Sequence, residues 1–111
     1  MESDQMRSLA RRLLKCALRR HVYERNNDSF QELACVEEGL YSDLHLQWVQ
    51  VVESNGKLTD PVYRDRVREV LHKALPEARA TVLTMFSNLS IESEKPVEDF
   101  VARFQSETYL P

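Results

Sequence analysis

The sequence predicts an all-α protein: a compact bundle of five helices, or six, joined by short connections. Three observations carry that expectation. Apolar residues recur every three or four positions through most of the chain, the spacing of a helical face. Only two glycines occur in 111 residues, too few for a chain built of hairpins and tight turns. Residues that start and stop helices punctuate the apolar runs at regular intervals. The length is that of one domain, residues 1–111, with enough chain for a core that needs neither metal nor disulfide.

The first helix is expected over about 4–25. Met6, Leu9, Ala10, Leu13, Leu14, Ala17, Leu18 and Val22 form one wide stripe, and Asn26, Asn27 and Asp28 stop it. The second is expected over 29–54. Ser29 and Glu32 have the spacing of a capping box, in which each side chain reaches the other's backbone N–H. Its stripe runs through Phe30, Leu33, Ala34, Leu40, Tyr41, Leu44, Trp48, Val51 and Val52. Gly39 and Ser42 interrupt that stripe, so one helix or two joined near 39–42 are both compatible with it. Leu44 to Trp48 also alternates as a strand would, but a lone strand has no partner in this chain. Asn55-Gly56 reads as a left-handed helix end.

Thr59-Asp60-Pro61 is a strong start signal for a helix over 60–75, with Tyr63, Val67, Val70, Leu71 and Ala74 inward. Pro76 is expected to end or kink that helix and open another over 76–89, through Val82, Met85, Phe86 and Leu89. Residues 90–95 read as a linker. Pro96 then starts a last helix over 96–107, with Val97, Phe100, Val101 and Phe104 on one face.

Charge is segregated along the chain. Residues 1–25 carry a net +4, residues 26–56 a net −6 with no Lys or Arg, residues 57–80 a net +2 and residues 81–111 a net −3. Helices of alternating sign can select one bundle topology, although each exposed pair contributes only about 0–1 kcal/mol. The total of −3 argues mildly against a dedicated nucleic-acid binder.

The stretch RSLARRLLKCALRR, residues 7–20, holds six of the fifteen basic residues. Arg7, Arg11, Arg12, Lys15 and Arg19 fall mostly off the apolar stripe and could line a phosphate backbone. No aromatic residue interleaves them for base stacking. A calmodulin-type peptide anchored by Leu9, Leu13 and Leu18, or a membrane-surface helix, would each require this helix to leave the core that the rest of the domain is built to form over it. A helix with a solvated basic face needs nothing added. Leu9, Leu13 and Leu14 miss the LxxLL spacing by one residue.

Signatures of catalysis are absent from the sequence: it has no glycine-rich phosphate loop and no nucleophile elbow. His21, His45 and His72 lie far apart. Cys16 and Cys35 sit in apolar runs and read as reduced, buried thiols, not as zinc ligands or a disulfide. Neither a metal nor a cofactor is expected. No apolar run is long enough to span a membrane, and no secretory signal opens the chain, so cytoplasm or nucleus is the expected compartment.

These readings converge on a non-catalytic interaction domain at the N-terminus of a larger intracellular scaffold, adaptor or regulatory protein. It would hold a helical or extended peptide of a partner protein in an apolar groove. Trp48, Phe100, Val101 and Phe104 are the candidate anchors. A nucleic-acid-associated domain using the basic face of the first helix is the alternative.

Overall fold

A computed structural model describes residues 4–25, 30–87 and 94–106, with side chains in the last segment through Arg103. The described residues form four α-helices and no strand: α1 (Asp4–Arg25), α2 (Gln31–Asn55), α3 (Pro61–Ser87) and α4 (Glu94–Ser106). The all-α class stands, with four helices instead of five or six. At about 1.5 Å per residue α2 and α3 each extend roughly 40 Å. The whole body measures 43 × 23 × 22 Å, so its length is set by these two helices.

α1 is the hub. It packs against α2, α3 and α4, while α2 rests chiefly on α1. Its expected stripe is buried throughout, and Cys16, His21 and Tyr23 join it. With neighbours on three sides, a helix buries more than a single stripe. Tyr23 stacks on Phe30 at 5.8 Å and meets Phe86 edge-on at 5.1 Å, tying the end of α1 to the start of α2 and the end of α3.

α2 is one helix, continuous through Gly39 and Ser42 and through the segment that could have alternated as a strand. Leu33 and Leu40, expected in its core stripe, are exposed instead. The expected cap at Ser29 lies outside the described residues. The helix does not end in a left-handed residue: Gly56 has φ 170° and ψ −173°, an extended backbone. The last turn is closed by side chains, with Ser54 Oγ and Asn55 Nδ2 donating to the Val51 carbonyl at 2.9 and 2.7 Å. Glycine is needed at 56 for space, because a Cβ there would fall 2.7 Å from the Tyr63 ring. That ring is pinned by its hydroxyl, which donates to the Val52 carbonyl.

α3 starts as its sequence signals. Asp60 Oδ1 accepts from the Val62 N–H at 3.0 Å and Pro61 occupies the first turn. It does not stop at Pro76, which lies inside the helix and is exposed. A proline in a helix interior costs about 3 kcal/mol. Val67, Val70, Leu71, Ala74 and Leu75 before it and Ala78, Val82 and Phe86 after it share one buried face. Burying each Val, Leu or Phe among them contributes about 1.5–3 kcal/mol, so packing on both sides carries the helix across the break.

α4 takes Pro96 in its first turns and docks through Val97 and Phe100, both buried. An Arg79–Glu98 ion pair links it to α3. Leu89 and residues 90–93 of the expected linker lie outside the described residues, while Glu94 and Lys95, also expected in that linker, form the start of α4 ahead of Pro96. The charge alternation is realised in part. Basic α1 meets acidic α2 through Arg19–Glu37 at 3.0 Å and Arg20–Glu38 at 3.7 Å. However, α1 also packs on α3, another basic segment. Apolar contact and the longer Lys15–Glu77 pair, 3.9 Å, accommodate that neighbour.

Among the described residues no helix is long and apolar enough to cross a membrane.

Candidate docking groove between α1 and α2

α1 and α2 run side by side, and a groove of about 360 Å³ opens between them. Arg12, Lys15 and Arg19 of α1 form one wall. Leu40, Asp43, Leu44 and Gln47 of α2 form the other. The α1 wall exists because these three residues fall off the apolar stripe of their helix, at the margin of the α2 contact.

The α2 wall continues beyond the groove as an apolar ridge. Leu33, Val36 and Leu40, at i, i+3 and i+7, share one side of the helix and are 44%, 58% and 47% exposed. A single exposed leucine is ordinary, whereas three large apolar residues exposed along one helix face are less so.

The three cations differ in availability. Arg19 Nε donates to Glu37 Oε1 at 3.0 Å, and that pair is largely shielded from solvent. Lys15 lies 3.9 Å from Glu77 on the α3 side. Arg12 is exposed and makes no ion pair among the described residues.

Beneath the groove, Cys16 is fully buried and its Sγ lies 3.1 Å from Glu37 Oε2 and 3.3 Å from the Glu37 carbonyl. Burial, and then the adjacent Glu37 carboxylate, push its thiol up to about 12. It stays protonated and donates to Glu37, a packing role with no nucleophilic character. Cys35 is exposed, contrary to the expectation of a second buried thiol, because it lies on the outer side of α2.

The other expected site residues are dispersed. Arg7 and Arg11 line a separate, smaller groove against α3 with Val70, Lys73, Ala74 and Glu77. The basic face is therefore divided between two clefts, each with a carboxylate on its far bank. Trp48 is completely buried, Phe100 nearly so, and Val101 half-buried. Partner contact through Trp48 or Phe100 would require the bundle to open. The Phe104 side chain lies outside the described residues.

His21 is buried under α4 with its ring edge-on to Phe100 at 5.8 Å. His45 stacks on Tyr41, and His72 is exposed. No group of three or more His, Cys, Asp or Glu among the described residues could hold a metal ion.

Sequence reasoning placed Arg12, Lys15 and Arg19 correctly as a polar face but missed Val36 and assigned Leu33 and Leu40 to the core. A signal was present. The apolar residues of α2 are too many for one stripe, since Leu33, Val36 and Leu40 point well away from Ala34, Tyr41 and Trp48 on a helical wheel.

Comparison with protein-family models, with curated proteins and with solved structures finds no match to this chain.

Proposed function

We propose that this is a non-catalytic interaction domain that docks a segment of a partner protein along α2, on the Leu33–Val36–Leu40 ridge and in the groove that continues from it. One observation carries the reading: an apolar ridge that the fold itself leaves uncovered runs directly into a cleft with a charged wall. A binding site needs an apolar centre and a polar rim, and both are supplied here by neighbouring turns of two helices.

The polyanion alternative draws less support. A phosphate backbone needs cations along an open track, whereas Asp43 and Glu77 interrupt the basic residues on either side of α1.

The test compares affinity capture by the folded chain with capture by Val36→Asp. The residue is exposed, so the substitution leaves the circular-dichroism spectrum and melting temperature unchanged. Proteins retained by the wild type and lost by the variant support the reading. A captured set that does not respond to the substitution removes it, as does tight low-salt binding of DNA or RNA that Arg12→Glu abolishes.

A further inference from the structure

Resting on that docking reading, we infer that the bound segment is an amphipathic helix of about four turns with two blocks, apolar anchors over the ridge and carboxylates beside Arg12. The first argument is spacing. Leu33 and Leu40 are seven residues apart, so the ridge is about 10 Å long with its middle residue offset by three. An opposing helix presents anchors at i, i+3 or i+4 and i+7 with the same repeat.

An extended peptide fits less well. It repeats on one face about every 7 Å. It would also bring backbone N–H and C=O groups that a sheet edge must pair, and the described residues contain no strand. A helix satisfies its own backbone.

The second argument is the order of chemistry along α2. Towards its N-terminus the exposed wall is apolar, at Leu33 and Val36. Two to three turns later Asp43, Leu44 and Gln47 face Arg12 and Lys15. From Leu33 to Gln47 is about 21 Å, which sets the ligand length at roughly fourteen residues. Arg19 at the ridge end is already neutralised by Glu37, whereas Arg12 at the far end is not. The positive charge available to a ligand therefore lies beyond the apolar anchors and not among them. Asp43 offsets part of it and Glu77 lies 3.9 Å from Lys15, which leaves Arg12 as the groove cation without an ion pair among the described residues. Carboxylates on the ligand's distal turns gain attraction there, while lysines would be repelled.

The experiment uses the full chain and three fluorescein-labelled synthetic helices. The first carries leucines at i, i+3 and i+7 followed by glutamates on the next turns of the same face. The second replaces the glutamates with glutamine, and the third with lysine. Fluorescence anisotropy should rank acidic above glutamine above lysine. The acidic advantage over glutamine should be about five- to tenfold at low salt. It should disappear at high salt and in Arg12→Glu, while Val36→Asp weakens acidic and glutamine helices alike.

Equal binding of the acidic and glutamine helices overturns the carboxylate assignment and leaves ridge docking intact. So does tighter binding of the lysine helix. If no helix binds wild type at about millimolar concentration, or if binding ignores Val36→Asp, the docking reading itself falls. Both variants change exposed side chains, and unchanged circular dichroism confirms that they are folded.

Discussion

α1 and α2 lie side by side and have similar lengths, yet they dispose of their apolar residues in opposite ways. α1 is the more polar helix by composition and buries eleven of its 22 residues. α2 is the more apolar, and of its 25 residues only Ala34, Trp48, Val51 and Val52 are buried. The cause is position. α1 has three helical neighbours, whereas α2 has essentially one. Burial follows what surrounds a helix, and composition only limits how much burial is available. Apolar residues that a helix carries without burying add little to the fold, and in the first half of α2 three of them, Leu33, Val36 and Leu40, lie on one side.

The sharpest way to break this contrast is to truncate side chains on its two sides. Trp48→Ala should cost about 3–5 kcal/mol and Leu18→Ala about 2–5 kcal/mol, since both are completely buried. Leu33→Ala and Val36→Ala should each fall within about 0.5 kcal/mol. Urea unfolding followed by circular dichroism measures all four. If Val36→Ala cost as much as Leu18→Ala, the ridge would belong to the core and the contrast between the helices would collapse.

The same contrast explains what could be read from the sequence. α1 was legible, with expected bounds of about 4–25 matching Asp4–Arg25, because its apolar stripe is continuous and most of its basic residues fall off it. Periodicity reports that a face is apolar, not that another helix lies against it. Leu33 and Leu40 were therefore placed in the core on a pattern that is equally good for an exposed ridge. Pro76 shows a different limit. Local chemistry says stop, and the buried residues on both sides outweigh it, a tertiary effect that no local signal contains. The groove was half legible. Arg12, Lys15 and Arg19 could be seen to share a side, but facing Leu40, Asp43 and Leu44 is a property of helix pairing.

A second prediction sharpens the comparison through histidine. The crowding of α1 takes even His21 inside, whereas His45 on α2 stays half-buried against Tyr41. Burial lowers the His21 pKa below its ordinary 6.5, and the nearby Arg25 and Arg103 push it the same way. Above about pH 6.5 the ring is neutral in both folded and unfolded chains and stability is unaffected. As pH falls below that value, the unfolded chain takes up a proton that the folded one resists. Stability is therefore lost until the folded-state pKa is passed. Each tenfold change in proton affinity is worth about 1.4 kcal/mol, so the effect should be smaller than the loss of Trp48. Urea midpoints at pH 7.5 and 5.5 should show a destabilisation that shrinks in His21→Leu. An undiminished loss in that variant would place the pH response elsewhere.

The smallest expected effect tests whether the exposed half of α2 is as unpartnered as it looks. Gly39 lies in the middle of a helix, is exposed, and a Cβ built there meets nothing within 4 Å. Three residues on, Ser42 Oγ donates to the Glu38 carbonyl at 3.1 Å, a side-chain bond that competes with helix pairing. Both features weaken this stretch locally, and few buried side chains compensate. Gly39→Ala should therefore stabilise the chain by about 0.5–1 kcal/mol through backbone entropy alone, seen as a raised melting temperature with unchanged helix content. Gly56 supplies the opposite control. Alanine there must displace the Tyr63 ring and should cost about 1–3 kcal/mol. If Gly39→Ala destabilised the chain as Gly56→Ala does, something would have to pack against the outer side of α2, and the helix could no longer be described as held on one side only.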